Sequence, residues 1–163
     1  MQTMPENDVE LDFIDKEAAD EATAEELYQV IAAGFKGDSP WPRRHIQETL
    51  ASKSAVLLAA TLGEEKVGLI VASETAYTLD IYLVVVAEKH KQKAIGTQLF
   101  NQLTAYAEEK EIDSIVLETR ASNTPALALY ERVGFEKVGE RKAYYSRPIE
   151  DAILMNYEFR EEK

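Results

Sequence analysis

The chain contains no cysteine. Disulfides, thiolate metal sites and a cysteine nucleophile are therefore excluded, no metal is expected, and a reducing cytoplasm is the expected compartment. Long apolar runs are missing too, since none approaches the ~18–20 residues that a membrane helix needs. The opening MQTMPENDVELDFIDKEAADE is acidic and lacks an apolar stretch, so no secretory signal is expected. Positive charge is scarce. There are 18 Lys and Arg against 30 Asp and Glu, a formal net charge of −12. Such a surface repels a nucleic-acid backbone and attracts a cation such as a protonated amine. Two glycine-rich phosphate motifs are also absent: neither GxxxxGK(S/T) nor GxGxxG occurs.

What is present suits one soluble domain. The chain has 163 residues, 45% hydrophobic and 29% charged, enough for one sizeable core. Residues 1–8 read as an acidic flexible tail and 9–163 as a single domain. Val9–Ile14 alternates as a short strand. In Glu17–Phe35, Ala24, Leu27, Ile31 and Ala32 recur at helical spacing, and Gly34 and Gly37 end the helix. After the loop GDSPWP, Pro42 falls in the first turn of a second helix that runs to about Ser52. Ser54–Leu62 and Lys66–Ser73 form a hairpin, and Tyr77–Ala87 is a nearly continuous apolar run that predicts a buried central strand. A helix follows over 95–109, with Ile95, Leu99, Leu103, Tyr106 and Ala107 on one face. Asp113–Thr119 is a strand. Thr124 before Pro125 starts a helix that stops at Gly134, and Phe135–Tyr145 and Ala152–Phe159 are the last two strands.

The order β-α-α-β-β-β-α-β-α-β-β predicts an α/β (α+β) fold. Its expected form is a mixed, mostly antiparallel sheet of about seven strands with helices on both faces. Strand 77–87, helix 95–109 and strand 113–119 form a central βαβ unit, parallel with a right-handed crossover.

Basic residues concentrate in EKHKQKAIGT, between the apolar strand and its helix. The first amides of a helix have no internal partners and the dipole there is positive, so such a turn suits an anion. Ala94 and Gly96 let a ligand approach the backbone, and Lys91 and Lys93 offset phosphate charge. An ordinary strand-to-helix turn with solvated lysines has the same composition.

The segment resembles the pyrophosphate loop of the GNAT acetyltransferases, Q/R-x-x-G-x-G/A, with Lys91, Ala94 and Gly96 at its marked positions. Lysine keeps the charge but loses the planar fork. Alanine fits there only at negative φ. The stretch VLETRASNTPALALYERVGFEKVGERKAYY, residues 116–145, is more specific. It resembles the RimI-type branch, which acetylates N-terminal amines of ribosomal proteins: L-E-x-R-x-S-N, then A-x-x-L-Y-x-x-x-G-F, then Y-Y. SerProTrpPro at 39–42 resembles that branch's P-W loop, so the resemblance covers about residues 9–159.

The resemblance implies an acetyl-CoA-dependent N-acetyltransferase. Glu118 matches the proton acceptor and Tyr130 the acid beside the coenzyme A sulfur. Val84, Val85 and Val86 match the backbone that pairs with pantetheine. Lys91, Gln92, Lys93, Ala94, Ile95, Gly96 and Thr97 form the pyrophosphate loop, and Asn123 contacts pantetheine, a role compatible with capping a helix. Trp41, Tyr144 and Tyr145 are candidates for lining the acceptor site. The acceptor is expected to be a peptide N-terminus or a small amine, with no direct nucleic-acid or membrane binding; oligomeric state is not legible. A free glutamate has a pKa near ~4.3 and a peptide amine near ~7.7–8.0, so a glutamate base needs a raised pKa or an intervening water. Each residue also has a plainer reading: Glu118 as a surface strand carboxylate paired with Arg120 or a lysine, Tyr130 as a core tyrosine, and the loop as part of a non-catalytic acyl-CoA sensor. A polyamine-like or lysine acetyltransferase of the same fold is the other alternative.

Overall fold

Among the described residues, seven strands and four helices follow one another in the predicted order. The computed structural model describes residues 9–37, 39–91 and 94–159. The expected tail at 1–8, and Gln92 and Lys93 of the loop, lie outside the described residues. The elements are β1 (Glu10–Phe13), α1 (Glu21–Gly34), α2 (Arg43–Ala51), β2 (Ala55–Leu62), β3 (Glu65–Glu74), β4 (Thr78–Val86), α3 (Ile95–Glu109), β5 (Ser114–Arg120), α4 (Thr124–Arg132), β6 (Glu136–Tyr145) and β7 (Glu150–Glu158). A 3-10 turn, Glu88–His90, precedes α3 and has no counterpart in the sequence pattern. α1 starts later than the pattern predicts because Asp20 caps it: its carboxylate accepts from the Thr23 amide at 3.0 Å, and Thr23 Oγ1 accepts from the Asp20 amide at 3.3 Å. Pro42 is the residue before α2 rather than part of its first turn, with an extended backbone.

The strands lie in the order β1-β2-β3-β4-β5-β7-β6. Only the β4–β5 pair is parallel; every other neighbouring pair is antiparallel. That is the mixed sheet with one βαβ unit that the pattern predicts. Side chains alternate across the sheet and feed two cores. Leu58, Ile70, Leu79, Leu99, Phe100 and Leu103 belong to the core under α3 and α4. Leu27, Ile31, Leu57, Leu69, Leu83 and Val85 belong to the core under α1 and α2. Each fully buried Leu, Ile or Phe contributes about 1.5–3 kcal/mol.

Two irregularities of β4 create the site. The first is a bulge. Against β3, Val71 pairs with Leu83 but Ala72 pairs with Ile81, so Tyr82 is an extra residue. The bulge reverses the facing of the strand. Leu79 and Ile81 enter the α3/α4 core, whereas Leu83 and Val85 enter the α1/α2 core. Val84 and Val86 thereby turn toward the α3 side, and Tyr82 is left 63% exposed.

The second irregularity is a split. β4 pairs with β5 only through Thr78–Asp80 and Ser114–Val116. Beyond that, β4 stays with β3 as far as Val86 and β5 stays with β7 as far as Arg120. Each strand keeps its outer neighbour, so the sheet opens as a V between them.

Candidate active site

On the α3 side the V is a cleft of about 290 Å³. Val84, Val85, Val86, Lys91, Ala94, Gly96, Thr97, Asn123 and Tyr130 all line it. The structure thus gathers nearly the whole expected cofactor set around one cavity. Among the described residues of that set, Ile95 is the exception: its side chain is fully buried in the core, which leaves only its backbone amide for a ligand.

Three features of the cleft fit an extended phosphorylated ligand. α3 begins on Ala94 without a side-chain cap, and its first main-chain bond is Gln98 N to Ala94 O. The amides of Ile95, Gly96 and Thr97 therefore have no partner within the helix, as an anion site requires. Past Asp80, the side of β4 turned toward β5 has no strand partner, so its peptide groups can pair with amides of a ligand as an added strand would. Asn123 caps α4, accepting from the Ala126 amide at 3.3 Å, and still lines the cleft. Lys91 lines it as well, but its ammonium is paired with Glu88 at 3.0 Å, so it is a partly neutralised charge.

Ala94 corrects one expectation. Its φ is +58°, the left-handed region, not the negative φ that a side chain prefers there. Ala94 stands immediately before α3, and a left-handed residue at that position turns the chain into the helix. An alanine tolerates it at a cost of about 1–2 kcal/mol. Gly96 has a different role from Ala94. A Cβ on Gly96 would stand 2.9 Å from Leu129 Cδ2, so this glycine lets α4 close onto α3. Ala94→Gly is expected to raise stability by up to about 1 kcal/mol, the strain relieved less the added chain entropy, and Ala94→Val to lower it. Thermal unfolding of the two variants checks this; a Tm for Ala94→Gly below wild type would contradict it.

Tyr130 is buried and packs edge-on against Phe100 at 5.5 Å. Burial, and secondarily Tyr145, push its phenol up to about 12. Both the core and the catalytic readings of Tyr130 describe the same side chain, since it belongs to the α3/α4 core and also lines the cleft.

Glu118 lies on the other face of the sheet. Its neighbours Leu117 and Thr119 are buried, while Glu118 is exposed. Its partner is Arg141 of β6, at 3.6 Å, rather than Arg120 or a lysine. Arg120 instead pairs with Glu150 at 3.1 Å, donates to the carbonyls of Ser146 and Pro148, and stacks over Tyr145 at 4.5 Å. Glu150 in turn accepts from the Ser122 amide at 2.6 Å, which fastens the β6–β7 connection to the turn leading into Asn123. Burial first, then the nearby Glu118 and Tyr144, raise the Tyr145 phenol above its ordinary value.

Trp41 does not line the cleft. It borders a separate cavity of about 490 Å³ with His45, Ser54, Ser73 and Tyr82, on the α2 side of the sheet. Tyr144 is 52% exposed and packs at 5.1 Å from Tyr145. Site residues that the motifs do not reveal are Gly34 and Phe35 at the end of α1 and Arg132 in the last turn of α4, all lining the cleft, together with Tyr82 and Arg141. Only Tyr82 leaves a trace in the sequence, because Thr78, Asp80 and Tyr82 alternate with apolar residues before the run turns wholly to valine.

A split sheet whose cleft ends on bare helix amides suits a ligand that joins a strand-like amide chain to a pyrophosphate, as acetyl-CoA does. Residues 21–135 match the Acetyltransferase (GNAT) family, and the chain belongs to it. It is 32% identical over 138 residues to the N-alpha-acetyltransferase RimI of Mycobacterium tuberculosis, covering 82% of this chain and 85% of that protein. It is 34% identical over 77 residues to the [Ribosomal protein bS18]-alanine N-acetyltransferase of Escherichia coli K12, covering 46% of this chain and 52% of that one. A 29% match to the Mycobacterium leprae protein ML0378 spans 38% of that longer chain. Among solved structures, the ribosomal-protein-S18-alanine N-acetyltransferase from E. coli superimposes with a TM-score of 0.82 at 19% identity, covering 95% of this chain and 96% of the other. An Elizabethkingia anophelis GNAT enzyme with acetyl-CoA bound gives 0.71 at 23% identity, covering 93% and 98%. No helix among the described residues is long and apolar enough to cross a membrane.

Proposed function

We propose that this protein acetylates a primary amine, the N-terminal α-amine of a protein such as a ribosomal protein, with Glu118 taking the amine proton and Tyr130 assisting the leaving sulfur. The observation that carries the reading is the split in the sheet. It leaves the exposed Glu118 carboxylate on one face and the buried Tyr130 phenol lining the cleft on the other.

Acetyl-CoA supplies the activated acetyl group as a thioester. The free amides opening α3 hold its pyrophosphate, and the unpaired side of β4 at Val84–Val86 holds its pantetheine. Backbone N–H groups in that stretch serve as oxyanion donors. Glu118, directly or through water, removes the proton from the acceptor ammonium. Tyr130 keeps its own proton. Giving it to a thiolate whose acid has a pKa near ~8.5 is uphill by about 3.5 pK units from about 12. Tyr130 therefore works as a hydrogen-bond donor at the sulfur rather than by full transfer. The second proton of the amine nitrogen, released as the C–N bond forms and the C–S bond breaks, passes to the departing thiolate directly or through water.

A weak carboxylate base favours an α-amine acceptor. Deprotonation at pH 7 costs about 1.4 kcal/mol for a peptide α-amine and about 4.6 kcal/mol for a lysine. The cavity bordered by Trp41 and Tyr82 forms the acceptor side, and Tyr144 and Tyr145, which lie against Arg141 and Arg120, are the further candidates for it. The net charge of −12 also draws a polyamine, so the deciding test is a panel. Ala-initiated peptides, lysine peptides and spermidine are offered with acetyl-CoA, and turnover is followed by thiol release. Rapid turnover of the Ala-initiated peptide is expected. Turnover of spermidine or lysine peptides alone would replace the α-amine reading, and slow hydrolysis without any acceptor would point to an acyl-CoA sensor.

A further inference from the structure

Arg141 occupies an unusual place among the cations near β6 and β7. Arg120 pairs with Glu150, Lys137 with Glu140 at 3.5 Å and Lys142 with Asp151 at 3.3 Å, carboxylates that take no part in the proposed transfer. Arg141 pairs with Glu118 itself. It reaches there from across β7. In register, Glu118 faces Leu154, which faces Gly139; Arg141 stands two residues further along β6 on the same face. The space over Gly139 is open, with nothing within 4 Å of where its Cβ would be. The guanidinium thus spans an open floor, over Tyr144 at 5.5 Å, with its side chain 54% exposed.

An incoming ammonium must share Glu118 with this guanidinium. Two cations then compete for one carboxylate, and Arg141 is left without its full partner. From this geometry we infer that Arg141 is a specificity-determining residue that reads a carboxylate carried by the acceptor next to its amine. The inference rests on the α-amine reading with Glu118 as base. In a peptide, the side chain of an acidic second residue lies within a few ångströms of the amine, and a planar guanidinium takes a carboxylate in fork geometry. An acceptor of this kind restores an ion pair to Arg141 while its ammonium takes over Glu118. An acceptor with a second-residue lysine restores nothing and adds a third cation. The whole chain carries −12, so an acidic acceptor is drawn to this spot only by a local cation.

The test compares kcat/KM for three peptides that differ only in beginning Ala-Asp, Ala-Ala or Ala-Lys, with free alanine as a fourth acceptor, on wild type, Arg141→Gln and Arg141→Glu. Because ratios within one enzyme are read, partial misfolding of a variant cancels. Wild type is expected to favour Ala-Asp over Ala-Ala by about threefold to fivefold, the range of an exposed ion pair. Arg141→Gln should bring that ratio to near one, and Arg141→Glu should favour Ala-Lys. Free alanine outpacing every peptide, with the advantage lost in Arg141→Gln, would make the acceptor's own α-carboxylate the group that Arg141 reads. Peptide turnover with the same Ala-Asp to Ala-Lys ratio in all three enzymes overturns the role of Arg141 alone. No turnover of any amino-terminal acceptor, with spermidine or lysine peptides acetylated, overturns the α-amine reading and this inference with it.

Discussion

Glu118→Gln is expected to lower kcat/KM for an α-amine acceptor by about tenfold at pH 7 and about 100-fold at pH 6, because only the neutral fraction of an amine with a pKa of about 8 still reacts. Its effect on acetyl-CoA binding should be small, because Glu118 is on the opposite face from the cleft and does not line it. The loss should depend on pH. Where the acceptor is an ammonium, a base is needed; above the amine's own pKa of about 8, the acceptor arrives neutral and the variant regains much of its rate. The variant profile should therefore climb about tenfold per pH unit toward pH 8 and then flatten. Tyr130 should add no alkaline limb near pH 10, where an ordinary phenol titrates. Burial pushes it to about 12, so it stays protonated over the working range. Initial rates from pH 6 to 10 with saturating acetyl-CoA make the comparison. A Glu118→Gln profile parallel to wild type would remove Glu118 from the role of base.

Gly34→Ala should be among the most damaging single-methyl additions in the chain. A Cβ there would lie 1.9 Å from Val85 Cγ2 and 3.0 Å from the Val86 carbonyl oxygen. Neither neighbour can yield easily. Val85 is buried, and a β-branched side chain is restricted at χ1. The carbonyl belongs to β4, bonded to β3 through Gly68 and Val86. Either α1 lifts or β4 shifts, and both line the cleft. A loss of about 3 kcal/mol is expected, at the upper end of what overpacking costs, or roughly 6–12 °C in Tm for a chain of this size. The affinity for acetyl-CoA should fall with it. Val85→Ala in the same chain removes the clashing methyl, so the double variant should be more stable than the sum of the two singles by at least about 1 kcal/mol. Additive losses would show that the end of α1 is not pinned on β4.

Much of the architecture was legible in the sequence. Helical periodicity over 95–109, the turn residues around the hairpin of β2 and β3, and Pro125 with Gly134 bracketing α4 are local signals, and the elements they predict lie within a few residues of those found. The lining of the cleft was legible through local order as well: Lys91, Ala94, Gly96, Asn123 and Tyr130 follow one another along the chain and meet there. Element starts were less legible. A capping box such as Asp20 with Thr23 overrides the apolar periodicity that continues ahead of it.

Other features depended on tertiary structure. The backbone of Ala94 is left-handed where the chain enters α3, a constraint stronger than the preference of alanine. The run from Tyr77 to Ala87 looked like one buried strand, yet an extra residue at Tyr82 reverses its facing midway. Nothing local fixes a bulge, because it is a mismatch in register with a partner strand. The ion pair of Glu118 with Arg141 joins residues 23 positions apart through an intervening strand, and sequence spacing carries no information on such a contact. By itself, then, the sequence determined the family, the order of elements and the residues that gather at the cofactor cleft, because these rest on local pattern. The split of the sheet, the face on which Glu118 lies and the partner it holds were decided only by tertiary structure, since each depends on which strands pair and where the pairing stops.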